Sequence, residues 1–342
     1  TPRKTHENMN QTTWPSRSDG SRFRSLPLPN TRNTQRPYRR FRSPTRRSTT
    51  SNPSPSDGHD FSALPFDVLA KIAGPFSHPD LVAASLVCRA WRDGLRPLRE
   101  AMSFFRWGKR FKHGRGGVRP NLDKAMDSFL KGAARGSTLA MVDAGLLHWE
   151  AGRREEAVVL YRRAAELGDP AAMSNLGISY LQAERPEPEE AVKWLHKACL
   201  GGHVRAQYQL ALCLHQGRGA DRNMQEAAKW YLKAAEGGYA RAMYNVALCY
   251  SGGEGMPRNH RLARKWMKRA ADRGHRKAQF EHGLGLFSEG EMLKAVIYLE
   301  LATRAGETAA DHVKRVILEQ LSPTSRDRVM LLADNWRAIP SH

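Results

Sequence analysis

Small apolar residues recur along this chain in a fixed frame: an Ala, a Gly eleven positions later, and an Ala four positions after that. The six sets are Ala125/Gly136/Ala140, Ala157/Gly168/Ala172, Ala191/Gly202/Ala206, Ala227/Gly238/Ala242, Ala263/Gly274/Ala278 and Ala295/Gly306/Ala310. The steps between glycines are 32, 34, 36, 36 and 32 residues. A period in this range predicts a solenoid of stacked helix pairs, an architecture whose usual work is binding another protein.

The frame also orders the larger residues. Three or four positions after the first Ala comes an aromatic or large side chain: Phe129, Tyr161, Trp194, Trp230/Tyr231, Trp266/Met267 and Tyr298. Seven positions after it comes a small one: Gly132, Ala164, Ala198, Ala234, Ala270 and Ala302. Such spacings put large and small residues on one helix face, so that neighbouring helices interdigitate. The Gly suits a helix C-terminus, where a left-handed backbone costs little only without a Cβ. The second Ala opens a second helix, carrying Leu176, Leu210 or Val246 and then Tyr180, Leu214 or Tyr250. Repeats one and six depart from this, with Ala144 and Lys314 in the Leu/Val place. The repeats are expected over 119–320. Before them, Leu95, Leu98, Met102 and Phe105 form a stripe opened by Pro97 and predict a linking helix and half-repeat at 97–118 that docks on repeat one. After them, Val329, Leu331, Leu332 and Trp336 predict a capping helix within 321–342.

A different unit precedes the array, over 61–96. Val68, Leu69, Ile72, Ala73 and Phe76 form one helical stripe that Gly74-Pro75 should end. Ser77 and Asp80 mark a new helix start, and Leu81, Ala84, Val87/Cys88 and Trp91 form a second stripe. A unit this short does not stabilise itself well and calls for a partner or other support.

The motif Leu64-Pro65-Phe66-Asp67-Val68-Leu69, then Ile72, Asp80-Leu81 and Ser85-Leu86-Val87-Cys88-Arg89-Ala90-Trp91-Arg92, resembles an F-box. The resemblance implies binding to a Skp1-like adaptor and, through it, a cullin–RING ubiquitin ligase. Leu64, Pro65, Leu69, Ile72, Leu81, Leu86, Val87 and Trp91 match the positions that build or contact that interface. The Ala/Trp/Ala-Ala/Gly/Ala frame, with loops such as Gly217-Arg218-Gly219 and Gly252-Gly253-Glu254-Gly255, resembles Sel1-like repeats, relatives of the tetratricopeptide repeats. The combination resembles a small group of plant F-box proteins. The fold class expected is therefore all-α: a short helical F-box, then an α-solenoid of about six helix-pair repeats.

Residues 1–60 are rich in Arg, Ser, Thr, Pro and Asn and predict a disordered basic tail. Of the formal net charge of +21, about +10 falls in residues 1–56, so the basic pI is half a property of the tail. The cluster from Arg39 to Arg47 reads as a solvated linker, with nuclear import, a transit peptide or an RNA-grazing segment as alternatives. Nucleus and/or cytoplasm is the expected compartment. No stretch approaches 18 apolar residues, so no transmembrane helix is expected and a membrane is not an expected partner.

Catalytic motifs are lacking. There is no Gly-x-Ser-x-Gly, no phosphate loop of the Gly-x4-Gly-Lys type and no His-Glu-x-x-His, and Cys88, Cys199, Cys213 and Cys249 have no metal-ligand spacing. No catalytic residue, metal or cofactor is expected, and the cysteines read as buried thiols. One charged constellation stands out. Residues 258–277 hold nine Lys/Arg against Asp272, and Arg261, Arg264, Lys265 and Lys268 share one helix face opposite Ala263, Trp266 and Ala270. That face is either a soluble outer surface or a docking patch for an acidic or phosphorylated target. The expected function is a non-catalytic substrate receptor of an SCF-type ligase holding an unidentified protein target. The alternative is a repeat scaffold or nucleic-acid-associated adaptor; nucleic acid is the less expected partner.

Overall fold

The computed structural model describes residues 64–73 and 76–339. The expected disordered tail, Gly74-Pro75 and the last three residues lie outside them. The described residues form seventeen α-helices and no strand. The chain makes two compact units that divide between Ala140 and Met141, inside the first repeat and not at its start.

The first unit opens with three short helices, α1 (Phe66–Ala73), α2 (His78–Ala84) and α3 (Arg89–Gly94). The start of α2 is fixed by a capping box: the Ser77 hydroxyl accepts from Asp80 N, and the Asp80 carboxylate accepts from Ser77 N at 3.0 Å. The second apolar stripe is not one helix, as its spacing suggested. Ser85 Oγ donates to Leu81 O at 2.7 Å, the chain turns over Leu86-Val87, and Cys88 Sγ accepts from Trp91 N at 3.4 Å to start α3. Local side-chain bonds to the backbone outcompete helix continuation there. Cys88 is therefore a half-buried cap, while Cys199, Cys213 and Cys249 are buried.

Leu69, Ala73, Leu81 and Leu95 form the core of this unit, with Phe76, Ala84, Trp91, Leu98 and Met102 against them. The last two belong to α4 (Arg96–His113), which packs against α2 and then along α5 (Leu122–Ala134). His78 Nε2 lies 3.2 Å from Ser103 Oγ, tying α2 to α4. In that packing Phe105 and Phe129 meet at 6.1 Å, and the Phe129 ring covers Gly108.

Helix α6 (Thr138–Glu150) carries the division between units. The second unit continues with α7 (Arg154–Glu166), α8 (Pro170–Gln182), α9 (Pro188–Leu200), α10 (Val204–Gln216), α11 (Met224–Glu236), α12 (Ala240–Gly252), α13 (His260–Asp272), α14 (Arg276–Ser288), α15 (Met292–Arg304), α16 (Thr308–Gln320) and α17 (Pro323–Asn335). Each is 13 residues long because a stop and a start recur in the frame. The stop is the frame glycine, with φ between 74° and 90° in all six sets. Several starts carry a side-chain cap, Asn223 and Asn259 on the first helices of their pairs and Asp169, His203 and His275 on the second, while α7, α9, α12, α15 and α16 start without one.

Within each pair the fourth position after the first Ala enters the core. Phe129, Tyr161, Leu195, Tyr231 and Leu299 are almost fully buried. The aromatics one position earlier do something else. Trp194 and Trp230 stay half-exposed under the ammonium groups of Lys197 and Lys233, each 4.2 Å from the ring centre. Repeat five reverses the order, burying Trp266 and leaving Met267 half-exposed. It is also irregular in its second helix, where His282 stands in the Leu/Val place and packs edge-on to Tyr298 at 4.6 Å. The last helix, α17, covers α15 through Val329 and Ala333, whereas Leu331 and Leu332 face solvent. Of the apolar residues named from spacing, Val329 lies on the buried face of the helix and Leu331 and Leu332 do not.

Candidate functional site

The helical unit before the array divides the eight residues nominated from sequence into two groups. Leu69 and Leu81 are 3% and 2% exposed and hold the three helices together. Leu64 and Trp91 are half-buried. Pro65, Ile72, Leu86 and Val87 are exposed, the last two at 72% and 67%. Leu86 and Val87 occupy the turn between α2 and α3, held by Leu86 N→Ala83 O at 3.0 Å and Val87 N→Ala84 O at 3.2 Å. The backbone there is satisfied, so the two side chains project without loss of structure.

Two further apolar side chains were not anticipated as surface. Val68, placed by its spacing in the buried stripe, is 37% exposed, and Val82 beside Leu81 is 39% exposed. The stripe splits because α1 is short and only Leu69 and Ala73 reach the core. A unit this small, leaving Val68, Ile72, Val82, Leu86 and Val87 uncovered, has the surface of an interaction module.

The repeat-five stripe lies on α13 as expected. Arg261, Arg264, Lys265 and Lys268 are all exposed, and Ala263, Trp266 and Ala270 are buried opposite them. Half of it is already paired within the chain. Arg264 Nη1 meets Glu289 Oε1 at 2.8 Å, and Lys268 Nζ meets Asp272 Oδ2 at 2.8 Å. Asp272 also accepts from the Tyr298 hydroxyl at 2.6 Å. Exposed pairs of this kind hold side chains weakly. Among the described residues Arg261 and Lys265 carry no ion pair and are the accessible charges of the stripe.

Chemistry is sparse elsewhere. Among the described residues no group of three or more His, Cys, Asp or Glu could hold a metal ion. Burial pushes the thiols of Cys199, Cys213 and Cys249 up to about 12, 11 and 11, which keeps them protonated and unreactive.

A solenoid of regular helix pairs and a small unit with an uncovered apolar face define a helical repeat protein of the interaction class. Family comparison is more specific. The Sel1 repeat profile matches residues 105–137, 153–169, 170–203, 204–239, 240–275 and 278–307, and the F-box-like profile matches 61–95. The chain belongs to the Sel1 repeat family and carries an F-box-like module at its head. It is 63% identical to the F-box protein At1g70590 of Arabidopsis thaliana, over 97% of this chain and 99% of that one. It is 34% identical to mouse DAP3-binding cell death enhancer 1 over 71 residues, covering 21% of this chain and 14% of the relative. A Sel1 repeat protein from Oxalobacter formigenes has the same fold, with a TM-score of 0.54 and 26% identity over 66% of this chain and 94% of its own. Both modules are protein-interaction domains.

Proposed function

We propose that this chain is the substrate-recognition subunit of an SCF-type ubiquitin ligase. Its F-box-like module binds a Skp1-like adaptor, and its solenoid holds a target protein. The observation that carries the reading is the pair Leu86 and Val87: apolar, largely exposed and backbone-satisfied, inside the segment that the F-box-like profile matches. Ile72, Val68 and Val82 extend that surface, with Leu64, Pro65 and Trp91 at its edge. Leu69 and Leu81 act indirectly, by holding the helices that present it. The chain supplies proximity and orientation, bringing a lysine of the target to a charged conjugating enzyme, and no chemistry of its own. Arg261 and Lys265 are candidate contacts to the target, and nucleus and/or cytoplasm is the compartment this role requires.

Co-purification of the full chain with a Skp1-like adaptor tests the reading. Leu86→Asp/Val87→Asp is expected to abolish capture with the helical content unchanged. Capture of neither the native chain nor the variant, or equal capture of both, overturns it.

A further inference from the structure

The second helices of repeats three to five carry another regularity, separate from the sites above. One position before the second Ala of the frame stand Arg205, Arg241 and Lys277, each 36 residues from the last. Two positions after it stand Tyr208, Tyr244 and Phe280, and three after it Gln209, Asn245 and Glu281. Residues four apart share a helix face. A cation and a carboxamide therefore lie together on α10 and again on α12. Repeats one, two and six have Leu139, Ala171 and Ala309 in the cation place.

Ring contacts join these faces from one repeat to the next. Tyr208 packs on Tyr239, the residue just before α12, at 4.9 Å. Tyr244 stacks on His275, which caps α14, at 4.7 Å. Arg205 is half-buried, and among the described residues the groups that act on it electrostatically are Tyr239, Arg241 and Tyr161, none a carboxylate. Arg241 is exposed, and its charge acts on both Arg205 and His275. Among the described polar atoms that are buried with no hydrogen-bond partner are Nε2 of Gln209 and the hydroxyl of Tyr161. Both can donate. A half-buried guanidinium beside a second one, with unused donors close by, is costly unless an anion completes it.

We propose that Arg205 and Arg241, with Gln209 and the rings of Tyr208, Tyr239 and Tyr244, form a docking track for an extended, carboxylate-rich segment of a partner protein. Charge complementarity names the occupant: the track offers guanidinium groups suited to bidentate carboxylate contacts, a free amide donor, and aromatic walls for the intervening side chains. Lys277 continues the track. Glu281, one turn beyond it, repels an acidic segment and weakens the track in repeat five. The inference rests on the reading that the solenoid holds the target, and adds which face does so and what chemistry it reads.

The test is fluorescence anisotropy of a labelled polyglutamate peptide with the full chain, beside polyglutamine and single-stranded RNA probes. Polyglutamate is expected to bind in a salt-sensitive way and polyglutamine not to bind. Arg241→Glu, at an exposed position, should weaken polyglutamate binding by about tenfold or more, and Arg241→Lys by less. Arg205→Gln should act in the same direction; should it unfold, Arg241→Glu decides alone. Lys294→Glu, at an exposed cation of α15 outside the track, should leave affinity within about twofold. Undiminished binding by Arg241→Glu, equal loss in Lys294→Glu, or binding of RNA without polyglutamate overturns the track. Leu86→Asp/Val87→Asp should bind the peptide normally, so failure of the adaptor reading and failure of the track are separable.

Discussion

The ring of Tyr161 lies directly on the backbone of Gly145: a methyl group there would stand 2.5 Å from Tyr161 Cε1. Gly177 stands in the same relation to Leu195, Gly283 to Leu299 and, in the first unit, Gly108 to Phe129. The fifth position after the second Ala thus receives the large residue of the next helix in frames one, two and five. Ala211 and Ala247 hold the corresponding, fully buried places in repeats three and four. This seat sets how closely consecutive pairs stack, and with it the spacing of everything the array displays.

Gly145→Ala should therefore destabilise the second unit by about 1–3 kcal/mol, the ordinary cost of overpacking a filled core. Gly285→Ala is the matched control. Gly285 lies inside α14 with nothing within 4 Å of a new methyl group, and should gain about 0.5–1 kcal/mol from helix propensity. Urea denaturation of the two variants checks this; shifts of the same sign would show that the seat does not govern stacking.

The period itself was plain in the sequence because Ala and Gly mark helix contacts and helix ends in the same frame. The seat at Gly145 was not plain, since it joins residues of two different helices and only their packing shows which pair. Likewise, spacing named Val68, Ile72 and Val87 as apolar stripe, but could not say that Leu69 alone points inward from its pair with Val68. Apolar periodicity identifies a face, and a very short helix buries only part of it. The half-paired state of the repeat-five stripe was hidden for the same reason: Glu289, the partner of Arg264, comes from beyond the next helix.

Lys314, the residue that broke the pattern in repeat six, has a structural role. Its ammonium meets Glu300 at 2.9 Å and Asp311 at 3.0 Å, and Arg304 meets the other Glu300 oxygen at 2.7 Å. Burial alone would raise the Glu300 carboxyl, but its bonds to Lys314 and Arg304 hold it below its ordinary value. Its contribution is thus present above the usual carboxylate range and lost as pH falls through it. Restoring the repeat pattern with Lys314→Leu should cost about 2–4 kcal/mol near neutral pH, because it strips a buried carboxylate of a partner. Lys314→Leu/Glu300→Leu should recover much of the loss. A double-mutant cycle measures the coupling, and additive effects would refute it.

The two roles within the F-box-like module separate by substitution. Leu69→Ala should loosen the three-helix core by about 2–4 kcal/mol and speed amide exchange throughout α1 to α3. Val87→Ala, at an exposed turn, should leave exchange unchanged and shift stability by no more than about 0.5 kcal/mol. Both should weaken adaptor capture, the first through the fold and the second through contact. Faster exchange in Val87→Ala would place that side chain in the core.

His275 should make the array sensitive to mild acid. Its Nδ1 accepts from Ala278 N at 3.2 Å to cap α14, and its ring stacks on Tyr244. Burial, followed by the charges of Arg241, Lys277 and Arg276, pulls its pKa from 6.5 down to about 4. The unfolded chain therefore takes up a proton below about pH 6.5 while the folded one resists until about pH 4, so stability falls with acidity across that window and levels below it. A proton on Nδ1 would also replace the acceptor with a donor and break the cap. His275→Asn keeps a capping oxygen and cannot titrate. Between about pH 7.5 and pH 5 the native chain should lose about 2 kcal/mol more than His275→Asn. Urea denaturation at the two pH values reads the difference directly; parallel losses would mean that His275 is as free to take a proton in the fold as outside it.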